Sequence, residues 1–218
     1  MSDNGVARES NKAVREGSAS KRAAILDAAG ELFVSDGVDR TSMDAIAVRA
    51  QVSKRTIYDY YGDKHSLFVA VVEEHGRALW EMVDEVIRRY LSEEAGIRTR
   101  PDLEAALVST AVEIVGITVG SSSYAAFIKL VTSEDLTSSE SERVLSDRMP
   151  EDAMGERFAA LGRAGLLDVE KPRIAAEHFT ALTVLLVINN RVGVAPCPSD
   201  HDTIVEGVRA FLRAYAPQ

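Results

Sequence analysis

The sequence predicts an all-helical protein: a small N-terminal group of three helices, joined by a long helix to a larger helical remainder. Three observations carry this. Apolar residues recur at the 3.6-residue helical period from Ile25 to Tyr215, no stretch alternates as a strand does, and Leu182 to Ile188 is apolar on nearly every side. A helix apolar all round needs cover on both faces, so the remainder must be a bundle.

Composition bounds the rest. With 218 residues, 46% of them apolar, the chain can bury a real core in one or two domains. Its net charge of −9 is unevenly spread. Residues 1–65 carry ten Lys/Arg and ten Asp/Glu and sum to zero, while residues 66–218 carry fifteen and twenty-four and hold the whole −9. A nucleic-acid contact near the N-terminus would therefore rest on local clusters, with modest affinity that fades with salt. One cysteine, Cys197, excludes an internal disulfide, and no signal peptide precedes the first helix, so the expected compartment is the cytoplasm. Cys197 sits between Pro196 and Pro198, as a passive thiol or a redox sensor. The longest apolar run, Ala181 to Ile188, is far short of the ~20 residues that cross a bilayer.

Residues 1–19 are polar and rich in Ser, Asn, Gly and charge, which predicts a disordered arm. Arg8, Lys12 and Arg15 make it mildly basic, and it is either a plain tail or one that trails along DNA. Ser20 caps a helix over 21–35 that buries Ile25, Ala28, Ala29, Leu32 and Phe33 and ends at Gly37.

The stretch from Thr41 to Lys64 follows, TSMDAIAVRAQVSKRTIYDYYGDK. Thr41 and Ser42 supply hydroxyls for a helix start, and Met43, Ile46, Ala47 and Ala50 share one face of a helix of about two turns. Val52 plugs the turn. Ser53 caps a second short helix with Ile57 and Tyr61 inward. Lys54, Arg55, Tyr58 and Asp59 point away from that stripe, with Thr56 and Tyr60 at its margins. Donors at the start of the second helix of such a pair suit the major groove of duplex DNA. Read without that context, Lys54, Arg55 and Lys64 would be a solvated basic face.

At these residues the chain resembles the TetR family of bacterial regulators. The matching features are Thr41-Ser42-Met43-x-x-Ile46-Ala47, Val52-Ser53-Lys54, Thr56-Ile57-Tyr58-x-Tyr60-Tyr61 and Gly62-Asp63-Lys64 before Leu67-Phe68. Gln51 stands where the family mostly has glycine, and Tyr61 where phenylalanine is common. The resemblance implies base-edge contact from Lys54, Arg55, Tyr58 and Tyr60, and phosphate contact from Ser42, Thr56, Tyr58 and Lys64. Asp59 falls at a variable, base-facing position, where it either accepts from a cytosine amino group or repels a phosphate. Thr41 and Ser53 complete the expected DNA-binding set, and the motif domain spans 20–65.

From Asp63 the period holds without proline through Leu67, Phe68, Val71, Val72, Leu79, Met82, Val83, Val86, Ile87 and Tyr90, one helix of about 27 residues. Residues 66–218 form the expected ligand-binding and dimerisation domain. Its helices start at Asp102 and run to Gly120, then cover Tyr124 to about Glu134-Asp135, then a short one with Val144, Leu145 and Met149, then one carrying Met154, Phe158 and Leu161 past Gly155 and Gly165. The last two, about 174–193 and 202–215, are expected to pair with their copies in a homodimer, as a palindromic operator requires. The family also implies a pocket for a small-molecule effector. Bulky residues available to line it are Trp80, Met82, Phe127, Met154, Phe158 and Phe179 (with Tyr90 and Met149 further candidates), and Glu113 and His178 are either polar anchors or ordinary satisfied groups. The layout after residue 66 is loosely similar to the AefR-like or AcrR-like branch.

No carboxylate pair, metal-ligand spacing, nucleophile motif or phosphate-cradling glycine loop stands out, and His65 and His75, ten apart, suit no common metal motif. The expected function is a ligand-released homodimeric repressor, not an enzyme and without a cofactor. Its alternative is a small helical enzyme or ligand-binding protein whose helix-turn-helix is not used for DNA.

Overall fold

The computed structural model describes residues 3–119, 121–133, 136–137, 139–140, 150–192 and 199–217, with side chains from Gly17 to Asn190 among the first five ranges and throughout the last. Every regular element among them is helical. Helix α1 is Asp3–Asp36, α2 Met43–Arg49, α3 Lys54–Tyr61, α4 Lys64–Leu91, α5 Arg100–Thr118 and α6 Ser122–Val131. Then come α7 Pro150–Arg163, α8 Pro172–Thr180, a π-helical turn Ala181–Leu185, α9 Leu186–Val192 and α10 Asp200–Ala214. No single helix among the described residues is long and apolar enough to cross a membrane.

Helix α1 corrects one expectation. It begins at Asp3 rather than Lys21, so much of the segment read as a disordered arm is helical. The segment holds no proline and several good helix formers, Ala, Arg, Glu and Lys, so nothing interrupts the hydrogen-bond ladder once Lys21 onward is helical. Composition that rules out a core does not rule out a helix. Helix α5 starts two residues before Asp102, because Thr99 is its N-cap and Asp102 the reciprocal member of a capping box, with Pro101 in the first turn. Helix α7 ends at Arg163, short of Gly165, which takes φ +75°. The short helix around Val144–Met149, and Glu134, Asp135, Gly120 and Cys197, lie outside the described residues.

Contacts divide the chain into two compact units. The first comprises residues 1–76 and 126–144, and the second residues 77–125 and 145–218, so the first reaches beyond the 20–65 span read from the sequence. Its core gathers Ile25, Ala29 and Phe33 of α1, Ile46 of α2, Ile57 of α3 and Leu67, Phe68 and Val71 of α4, with Phe33 and Phe68 edge to face at 5.6 Å. Phe127 is buried in the same unit, its ring against Gly76. Lys129 donates to the carbonyl of Val34 near the end of α1. The second unit is built on a cluster of Phe158, Phe179 and Phe211, with centroids 5.2 to 5.8 Å apart, surrounded by Val83, Val86 and Ile87 of α4, Leu103, Leu107 and Ala111 of α5, and Val187, Ile204 and Val208.

Candidate nucleic-acid interface

Helices α2 and α3 are too short to persist alone, and each is held by a local cap. Ser42 Oγ accepts from the amide of Ala45 at 3.1 Å, and Ser53 Oγ from the amide of Thr56 at 3.1 Å. Between them the chain turns on three backbone hydrogen bonds, Ala50 to Ile46, Gln51 to Val48 and Val52 to Ala47, at 2.8, 3.3 and 3.0 Å. Gln51 takes φ +56°, the left-handed conformation that glycine adopts without strain, so the sharp turn is made with a side chain in place. Ile57 is wholly buried, which fixes the rotation of α3 and turns Lys54, Arg55, Tyr58 and Asp59 to solvent. Tyr58 remains 44% exposed despite its size.

The exposed charges are paired among themselves. Lys54 Nζ lies 2.8 Å from Asp44 Oδ2 of α2, and that hydrogen bond raises the lysine's pKa. Arg55 Nε lies 3.8 Å from Asp59 Oδ2 one turn on, and Arg49 pairs with Glu31 of α1. Asp44 and Arg49 were missed as participants, since sequence alone does not show which acid of one helix meets which base of the next. Val48 lies beside them on α2, 80% exposed despite its apolar side chain.

Three expected contact residues are placed differently. Thr41 is 3% exposed and its hydroxyl donates to the carbonyls of Gly37 at 2.8 Å and Leu32 at 3.2 Å. It therefore fastens the α1–α2 loop instead of facing outward, because the carbonyls at the end of α1 need a donor. Lys64 donates to the carbonyls of Val38, Asp39 and Thr41 at 2.8, 3.3 and 3.2 Å, so its ammonium holds the same loop from the other side. Tyr60 is half-buried, its hydroxyl 3.1 Å from Ser18 Oγ and its ring 5.0 Å beneath the Arg22 guanidinium, both on α1. Thr56, also half-buried, bonds Ser53 Oγ at 2.8 Å.

The residues offered for an effector pocket do not converge. Met154, Phe158 and Phe179 meet in the second unit's packed core, and Phe127 belongs to the first. Met82 is 46% exposed, and Trp80 is half-buried on the same helix. Glu113 forms an ion pair with Arg89 at 2.7 Å, and its hydrogen bond to Tyr90 raises that hydroxyl's pKa. His178 Nδ1 is 2.7 Å from the hydroxyl of Tyr215. Both are satisfied at the surface, the second of the readings left open for them. A cavity of about 130 Å³ lies instead beside Arg100, Leu166, Leu212 and Pro217, away from the expected set. Among the described residues, no group of three or more His, Cys, Asp or Glu is placed to hold a metal ion.

Comparison with known proteins adds to this geometry. Residues 25–71 match the model of bacterial regulatory proteins of the tetR family, and residues 105–217 that of the AefR-like transcriptional repressor C-terminal domain. The HTH-type transcriptional activator FasR of Mycolicibacterium smegmatis is 38% identical over 68 residues, 31% of this chain and 31% of that protein, so the match spans about a third of that relative's length. The DNA-binding transcriptional repressor TetR of Mycobacteroides abscessus is 29% identical over 156 residues, 71% of this chain and 75% of that protein. In fold, a TetR-family transcriptional regulator from Mesorhizobium loti is similar with a TM-score of 0.77 at 23% identity, covering 91% of this chain and 98% of that one. The flavonoid-responsive regulator FrrA gives 0.68 at 25% identity, over 91% and 98%.

Proposed function

Because this chain belongs to the TetR family of bacterial transcriptional regulators, we propose that it is a cytoplasmic homodimeric repressor that holds a palindromic operator and lets go when a small molecule binds. The observation that carries the DNA reading is the face of α3, capped by Ser53, locked by Ile57 and presenting Lys54, Arg55, Tyr58 and Asp59 to solvent. Arg55 and Tyr58 reach base edges, while Ser42, Ser53 and Thr56 approach phosphates at helix starts, where free amides favour anions. Thr41, Tyr60 and Lys64 position this face from behind.

Repression is favoured over activation by extent of likeness. The repressor-type C-terminal match runs over residues 105–217, whereas the activator relative is similar over 68 residues. Dimerisation is supported by Ile174, Leu182, Leu185 and Leu186, apolar residues of α8, the π turn and α9 that remain exposed in one chain. Release is supported by the flavonoid-responsive neighbour and by α4, one unbroken helix of 28 residues, about 42 Å, that contributes to both units. We assign the effector to the second unit, and its action to a shift between two arrangements of the reading helices.

Selection of bound sequences from random duplexes with the purified protein tests this reading, with an inverted repeat as the expected product. Arg55→Ala and Tyr58→Ala are each expected to lose about 1–3 kcal/mol of binding to the selected duplex while the dimer stays folded. A pool with no enriched sequence, or variants that bind as wild type, refutes it.

A further inference from the structure

We propose that Asp44 is a specificity-determining residue: its carboxylate occupies Lys54 off DNA and so suppresses binding to the wrong sequences. The inference rests on α3 being the DNA reader and goes beyond it by assigning a role to an acid on the neighbouring helix.

Lys54 is the first residue of α3, at the positive end of the helix dipole, and the first turn of α3 holds no acidic residue. A lysine there is disfavoured unless an anion is supplied from elsewhere. Asp44 supplies it from the first turn of α2, at 2.8 Å. The other exposed cations of α2 and α3 have internal partners as well, Arg55 with Asp59 and Arg49 with Glu31, and Lys64 behind them is held by three loop carbonyls. Residues 1–65 correspondingly carry as many acids as bases.

Attraction to any duplex grows with the number of phosphates that Lys and Arg neutralise. Lys54 can join that count only by leaving Asp44, and the carboxylate it leaves then faces the polyanion. An exposed pair is weak enough to be exchanged. The exchange is repaid where Lys54 gains a directed contact, such as guanine O6 and N7, and is a net loss against featureless backbone. Asp44 thus weakens non-specific binding more than specific binding, which widens the ratio that matters in a genome.

The test measures fluorescence anisotropy of a labelled random-sequence duplex, and of the selected duplex, between about 50 and 200 mM salt. Wild type, Asp44→Asn, Lys54→Ala and the double variant are compared, each checked for helical content and thermal midpoint. Asp44→Asn is expected to tighten random-duplex binding about 3–10-fold, steepen the log–log salt slope by about one unit, and tighten selected-duplex binding less. In the Lys54→Ala background the same change should tighten binding clearly less, because only the repulsion of a lone carboxylate is then removed and no cation is released. Asp44→Ser, which keeps a short polar side chain in the α2 first turn, serves as the second variant should the asparagine disturb folding. Unchanged or weaker random-duplex binding overturns the proposal, and so does equal tightening in both backgrounds, which would be a general field effect. Wild type that binds neither duplex at low salt overturns the DNA reading itself, an outcome seen before any variant is compared.

Discussion

Replacing Gly207 with alanine puts the second unit's packing to a quantitative test. Alanine is the better helix former, and in the middle of α10 the swap should by propensity gain about 1 kcal/mol. The structure reverses the sign. A Cβ on Gly207 would lie 2.1 Å from the carbonyl oxygen of Leu182, 2.9 Å from its carbonyl carbon and 3.1 Å from Thr183 Cγ2. The first two are backbone atoms of the π-helical turn, so no side chain can rotate out of the way and α10 must back off by about the missing ångström. Overpacking of this kind costs about 1–3 kcal/mol, and a rigid obstacle places it at or beyond the upper end. The net expectation is a loss of about 2 kcal/mol. Gly116, also helical, has no heavy atom within 4 Å of its would-be Cβ, and Gly116→Ala should instead gain up to about 1 kcal/mol. Denaturant midpoints at one fixed protomer concentration, with unchanged slopes, measure both. The π turn also carries Leu182 and Leu185 outward, so Gly207→Ala should weaken the proposed dimer in sedimentation at low concentration. Equal stability of Gly207→Ala and Gly116→Ala would refute the argument.

Two further outcomes are expected. Gln51→Gly should raise stability by about 1 kcal/mol, read as a higher denaturant midpoint, because φ +56° costs a residue with a Cβ and costs glycine nothing; a lower midpoint would show the side chain to be the larger effect. Glu140 should contribute to acid lability of the first unit. Its carboxyl is held down to about 2, first by the Thr137 hydroxyl, then by the Thr137 amide and the His65 ring. A carboxylate depressed from an ordinary value near 4.5 stabilises the fold fully above that pH, and the contribution fades as pH falls toward 2. Stability between pH 5 and 2 should therefore fall less steeply in Glu140→Gln than in wild type, and identical slopes would contradict this assignment.

Sequence by itself determined the two short helices of the reading pair and their caps. Ser42, Ser53 and the Gly37 stop act over three or four residues, and the apolar period of α2 to α4 follows from one turn of helix, so neither needs a tertiary partner to be legible. The outward set on α3 was legible for the same reason, since burying Ile57 fixes where Lys54, Arg55, Tyr58 and Asp59 point. Contacts between elements far apart in the chain were decided only by the tertiary structure. Sequence does not show that Thr41 and Lys64 spend their donors on the end of α1 and its loop, that Tyr60 turns back to Ser18 and Arg22, or that Asp44 claims Lys54. Neither does it show a π turn at Ala181–Leu185, against whose backbone Gly207 packs closely. The physical reason is the range of the forces. Capping and periodicity are set within a few residues, whereas the partner of a long polar side chain depends on where packing brings another helix.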